Sequence, residues 1–486
     1  MDPTRSLVRA VQVVGCLALS VINGPSAVRE EHFDREPPSW EGINHRNHFF
    51  AARTVTQDFG YSPASARAGG QPGEIGGRIN PAGEPAFYGY RLPVPLDLNT
   101  TMTAEGRLYV APGSSHVLVG FFNTNTLNEW RTPNTVVLRL NGRGETFHCH
   151  FEYCTSRWRA GAGVIGELVP GRSIKAREIP SQRPHRWKLL YAPDTSGEGG
   201  RLTLTLDDLT AVCDVPPEHR REGALVTHFG LVPVLKSWDS PGEVWIDDLT
   251  INGVGFTFSA DPRWEAANNR RSYVSNNVRP KFDFGWSATH FAGGEKPGEL
   301  GGLVFRGDCR ETPRLASYGD RLETLTLQHP LEAQGKVAML RGVSDSTASI
   351  GFYHSSWSLQ TNSDQTQSVP RDYLGINVEG PSSEGFFFYP VYRTHRGNAG
   401  VNPRGAPRIH PDGKVHDWRL RYDPSAAGGR GQITLQLDTQ TCALDLAPGD
   451  KIDGTSFNRF GICTPWIDGN SVTVYFDDLI YTCAPP

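Results

Sequence analysis

The chain repeats itself at a period of about 230 residues, and this constrains its fold more than any other feature. Asp58-Phe-Gly-Tyr-Ser62 returns as Asp283-Phe-Gly-Trp-Ser287. Ala68-Gly-Gly-Gln-Pro-Gly-Glu-Ile-Gly-Gly77 returns, one residue longer, as the segment from Ala292 to Gly302. Trp40-Glu41 with Asn44 and Arg46 matches Trp264-Glu265 with Asn268 and Arg270. His185, Trp187, Tyr191 and Pro193 match His416, Trp418, Tyr422 and Pro424. Trp245-Ile-Asp-Asp-Leu249 matches Tyr475-Phe-Asp-Asp-Leu479. The offset is 224 at the first tryptophans, 231 at Gly120/Gly351, 239 at Tyr153/Tyr392 and 230 at Asp247/Asp477. A collinear repeat of this length is a duplicated domain. The copies are expected at 33–254 and 256–482, with Asn252-Gly253-Val254-Gly255 as a short join.

Within each copy the period is that of a strand. Residues 201–207 and 431–438 alternate apolar and polar side chains and are bounded by Gly or Asp. No long helical period with caps is present. Gly 53 and Pro 36, with 10% aromatic residues, suit a turn-rich, all-β chain. About 220 residues of short strands predict a two-sheet sandwich or jelly roll per copy.

The order of motifs within a copy carries a resemblance. An opening Phe33-Asp34…Pro37…Trp40 leads to a late Trp-x-Leu-x-Tyr-x-Pro strand, a Thr-Leu-x-Leu-Asp strand and a closing Phe-Gly…Asp-Asp-Leu. Each copy resembles a concanavalin A-like (laminin-G, legume-lectin, glucanase) jelly roll. The pair resembles a largely uncharacterised family of exported bacterial proteins. The resemblance implies a polysaccharide or glycan ligand, often with a structural calcium ion; a fold alone does not give a function. The Glu-x-Asp-x-x-Glu strand of the glucanase branch is absent.

Residues 1–27 are laid out as a secretory signal peptide: two arginines, the 13-residue apolar run Ala10–Ile22, then small residues. This predicts a secreted or cell-envelope protein. No other segment is apolar enough to predict a membrane span. Lys+Arg 48 against Asp+Glu 52 gives a net charge of −4, so no nucleic-acid partner is expected. Seven cysteines lie beyond the leader, which predicts one or two disulfides and at least one free thiol. Oligomeric state is not legible.

Residues kept in both copies are expected to serve the scaffold. Glu74 and Glu299 are assigned structural hydrogen bonding, and their glycine neighbours turns or bulges. Asp247 with Asp248, and Asp477 with Asp478, offer hard oxygen ligands for calcium; the other reading is solvated turn aspartates. Residues that differ between copies are the candidate site. In copy 1, His148, His150 and Glu152 share a strand face suited to saccharide or metal, with Asn123, Trp130 and Arg131 nearby. In copy 2 the matching face offers Phe387, Tyr389 and Arg393, where aromatic rings suit a sugar face and guanidinium an acidic group. His354, Arg371, Tyr373 and His395 form a candidate acid–base set there. Trp130, Trp158, Trp238, Trp357 and Trp466 fall in loop-like stretches as platform or core residues. Three functions stay open: lectin-like polysaccharide binding, polysaccharide cleavage (lyase or glycoside hydrolase) at copy 2, and a cell-surface adhesion module.

Overall fold

The computed structural model describes residues 26–47, 52–127, 132–168, 174–194, 198–235, 240–276, 280–307, 314–343, 345–360, 368–382, 385–403, 405–467 and 469–486. Nearly all of the expected leader, with Trp130, Arg131, Trp238 and Cys309, lies outside these residues. The chain is almost wholly antiparallel strand, and no helix among the described residues is long and apolar enough to cross a membrane.

Two β-sandwiches form because alternation gives each strand one apolar face, and each such face needs a partner sheet. In Gly200–Leu206 every second residue, including Leu202 and Leu204, is buried. In Gln432–Leu437 the buried set is Ile433, Leu435 and Leu437. The first sandwich packs a nine-stranded sheet on an eight-stranded one; the second packs two eight-stranded sheets, counted over the described residues. Each encloses its own apolar core.

Residues kept in both copies hold these cores together. Tyr191 donates to the Leu98 carbonyl at 2.6 Å, and Tyr422 to the Leu327 carbonyl at 2.8 Å. Glu74 is fully buried and accepts from the Arg67 and Ala68 amides, both at 2.8 Å. Glu299 does the same for Phe291 and Ala292, at 2.9 and 2.7 Å. Gly77 and Gly302 have φ of +127° and +128°, and a Cβ at either would overlap the carbonyl of Asp58 or Asp283.

The sheets do not follow the repeat boundaries. Asn252 and Gly253 both take positive φ, 46° and 84°. An Asn-Gly pair in that conformation makes a tight hairpin turn. It folds Val254–Phe256 back onto Gly242–Ile251. The expected join is therefore a hairpin, and the next two strands stay with the first sandwich. Glu265–Ala267 pairs with Phe87–Asp97, and Arg270–Ser275 with Arg53–Ser62. The second sandwich receives the same elements from the N-terminal end. Ala27–Glu31 pairs with Ser471–Ala484, and Trp40–Ile43 with Ser317–Thr326. Trp264 thus lies in the first core and Trp40 in the second.

Among the described residues, Cys149, Cys442, Cys463 and Cys483 are free thiols, so the disulfide expectation is not met at these four.

Candidate functional site

Three neighbouring strands of the second sandwich set up the site. Ser346–Tyr353 pairs with Tyr373–Ser382, which pairs with Gly385–Arg393, and the register aligns Tyr353, Tyr373 and Arg393. Antiparallel order brings the residues just past that row, His354, Asp372 and Thr394–His395, to one end of the sheet. Asp372 is fully buried at φ 51°. One of its carboxylate oxygens accepts from His395 Nδ1 at 2.9 Å and the other from the Ser456 amide at 3.1 Å. Burial raises its pKa, against the pull of those two bonds. The bond to Nδ1 leaves His395 Nε2 as the outward nitrogen. His354 Nδ1 accepts from the amides of Ser356 and Trp357, at 3.2 and 3.4 Å. Its proton in the neutral ring is then on Nε2. Burial lowers its pKa. Trp357, 37% exposed, lies edge-on to His395 with centroids 5.0 Å apart and 6.3 Å from His354. Arg459 flanks the group, held at 2.8 Å by Glu41 of the Trp40–Ile43 strand.

The first sandwich has the same three positions with different chemistry. Strand register matches Asn123 to His354, Asn134 to Asp372 and Ser156 to His395. Asn134 has φ 60° and accepts from the Leu225 amide at 2.7 Å, the bond Asp372 makes to Ser456. One copy holds three neutral side chains where the other holds two imidazoles and a carboxyl.

The candidate residues therefore separate. His354 and His395 come together. Arg371 precedes Asp372, with its carbonyl accepting from Ser358 at 2.6 Å and its Nε buried without a hydrogen-bond partner. Tyr373 is a correction: its side chain is fully buried and its hydroxyl donates to the Ile376 carbonyl at 3.3 Å, so it meets no substrate. Arg393 is another. It is buried, donates to the carbonyls of Val369 and Gly397 at 3.0 and 3.3 Å, and lies over Trp466 at 4.8 Å. It fastens loops rather than gripping a ligand. Tyr389 is buried with its hydroxyl on Glu379, which also takes Arg306 at 2.7 Å. Phe387 is half-buried under Arg408, 5.2 Å from its ring. Trp466 is core, its indole nitrogen donating to the Ser358 carbonyl at 2.8 Å.

In the first sandwich, Asn123 is buried, capping Asn125 at 3.0 Å and donating to the Leu225 carbonyl at 2.8 Å. His148 and His150 share a face, with centroids 6.2 Å apart, and burial lowers the pKa of His148. Glu152 is buried against Arg139 at 3.1 Å, which removes it as an open ligand. No group of three His, Cys, Asp or Glu side chains able to hold a metal occurs among the described residues. The aspartate pairs sit at β-bulges. Asp248 is paired with Arg107 at 3.1 Å, and Asp478 with Lys336 at 2.7 Å and His32 at 2.8 Å. A cationic side chain thus takes the place assigned to calcium. Asp247 and Asp477 face inward, where burial pushes their pKa up to about 6 and about 7. Sequence reasoning missed Asp372; its signal was the match to Asn134, hidden because the two loops differ in length.

No protein-family model matches the chain, and none of the curated proteins is similar to it in sequence. Solved structures give distant likenesses. The pair of laminin-G domains LG4-5 of mouse laminin α1 aligns over 83% of this chain and 88% of its own, at 9% identity and TM-score 0.24. The carbohydrate-recognition domain of Emp47p aligns over 43% and 92%, at 13% identity and TM-score 0.26. A Pseudomonas aeruginosa alginate lyase aligns over 34% and 68%, at 13% identity and TM-score 0.20.

Proposed function

We propose that this is an exported polysaccharide-binding protein of two tandem concanavalin A-like sandwiches, and that the second carries the saccharide site at His354, Trp357 and His395. The observation that carries the reading is the replacement of Asn123, Asn134 and Ser156 by His354, Asp372 and His395 on a shared scaffold. Three facing side chains that change together at one end of a sheet, beside an exposed indole, suit a ligand site. Trp357 offers the apolar surface against which sugar C–H groups pack. His354 Nε2 donates and His395 Nε2 accepts, which suits vicinal hydroxyls. Titration of the purified chain with a panel of soluble oligosaccharides should show saturable binding. Trp357→Ala should weaken it by roughly tenfold, the value of one good aromatic contact. Unchanged affinity in that variant would overturn the assignment.

The Asp372–His395 pair favours a second reading, cleavage. A buried carboxyl that holds Nδ1 leaves Nε2 as a proton acceptor, the arrangement of a general base. On this reading His395 takes a proton from the sugar or from water. Mass spectrometry of the soluble fraction after incubation with polysaccharides separates the two: oligosaccharide products lost in His395→Ala make the site catalytic, and intact polymer leaves it a binding site.

A further inference from the structure

The end of the first sandwich that corresponds to this site faces the second sandwich across a cleft. Thr126, Pro133, Ser156, Arg157 and Trp158 form one wall, and the other comes from Leu340–Gly342 and Pro411–Gly413. The volume is about 490 Å3, within the range of roughly 300–1,000 Å3 typical of ligand clefts. Trp158 stacks on His410 with centroids 4.8 Å apart, and Arg159 lies 4.3 Å from the same ring. That stack pins one sandwich to the other at the cleft edge. Two guanidinium groups, Arg157 and Arg341, line opposite walls. The carboxylate of the cleft, Asp412, is already engaged by the Lys414 amide at 3.1 Å and ammonium at 3.2 Å. Its pKa is lowered below the ordinary value by those contacts, against the effect of burial. Arg157 is exposed and has no ion pair among the described residues. Among the described lining residues Arg157 thus brings an unpaired positive charge, in a chain whose net charge is negative.

We propose that this cleft is a second glycan site, specific for acidic saccharides, in which Arg157 and Arg341 clamp a carboxylate or sulfate from opposite walls. A planar guanidinium fork matches both groups in paired hydrogen bonds. The proposal rests on the reading that the ligand is a saccharide, but it uses none of the residues of the His354–Trp357–His395 site. Ser156 here occupies the position of His395, so the duplicated loop end serves acid–base or hydroxyl contacts in one copy and charge recognition in the other.

Calorimetric titration of the full chain tests this with four probes: a tetragalacturonate, a sulfated tetrasaccharide, a neutral tetraglucan and inorganic sulfate. Arg157→Ala removes an exposed side chain, so folding is retained. One or both acidic tetrasaccharides should bind, and Arg157→Ala and Arg341→Ala should each weaken that binding roughly tenfold or more. Raised salt should weaken it further. Which acidic probe binds tells carboxylate from sulfate recognition. Trp357→Ala should leave this binding unchanged; if Trp357→Ala abolishes it while Arg157→Ala does not, the acidic ligand sits at the other site and the cleft proposal falls. Equal binding of the neutral probe, sulfate binding as tightly as either tetrasaccharide, or no acidic binding at all would also overturn it, and none of these results bears on glycan binding at Trp357.

Discussion

Asp372 shows how one side chain can be tested against its own internal control. Asparagine already occupies the equivalent position in the first sandwich, at the same positive φ and with the same backbone bond. Asp372→Asn should therefore fold with an unchanged melting temperature. If the site is catalytic, the variant should lose activity by about a hundredfold or more, because the His395 ring is no longer held in its working tautomer. A second residue-scale prediction concerns Asp247, whose carboxyl burial raises to about 6. A carboxyl with a raised folded-state pKa binds its proton more tightly when folded. Its ionisation subtracts stability as pH rises from about 4 through 6, and the loss is complete above that range. Asp247→Asn should match wild type at pH 4 and gain a few degrees in melting temperature by pH 7.5. Differential scanning calorimetry at the two pH values checks this, and an equal effect at both would contradict it.

At the scale of elements, alternation and the repeat were legible, and so were the scaffold roles of Glu74, Glu299 and the paired tyrosines. The strand exchange was not. Trp40 and Trp264 look like openings of their own copies because sequence order says nothing about which sheet offers the free edge. Yet Asn252-Gly253 carried the clue, since an Asn-Gly pair after an apolar strand signals a hairpin before it signals a linker. The open face assigned to Phe387, Tyr389 and Arg393 failed for a related reason. Period two says that these side chains share a face, but not that loops bearing Trp466 and Val369 cover it. Arg306, Glu379 and Tyr389 then close that face with a buried polar network. The exchange makes a prediction. Trp40→Ala should cost about 3–5 kcal/mol, as other large-to-small core changes do, and the loss should fall on the second sandwich although Trp40 lies near the chain's beginning. Hydrogen exchange should quicken in Ser317–Thr326 and Ser456–Cys463 and stay unchanged in Arg53–Ser62. Quickening confined to residues 52–276 would contradict the pairing.

At the scale of the molecule, duplication supplied two copies of one scaffold, and the chain uses them differently. The loop end of the first sandwich faces the junction cleft and carries Asn123, Asn134 and Ser156, whereas that of the second carries His354, Asp372 and His395 beside the exposed Trp357. The central claim is that a saccharide occupies that second end. The most direct measurement is hydrogen-exchange footprinting of Arg157→Ala, in which the junction cleft is disabled, with and without the oligosaccharide that the full chain binds best. A saccharide seated there should slow exchange at residues 354–358 and 394–398 and at no other loop end. Slowed exchange elsewhere with those segments unchanged would contradict it.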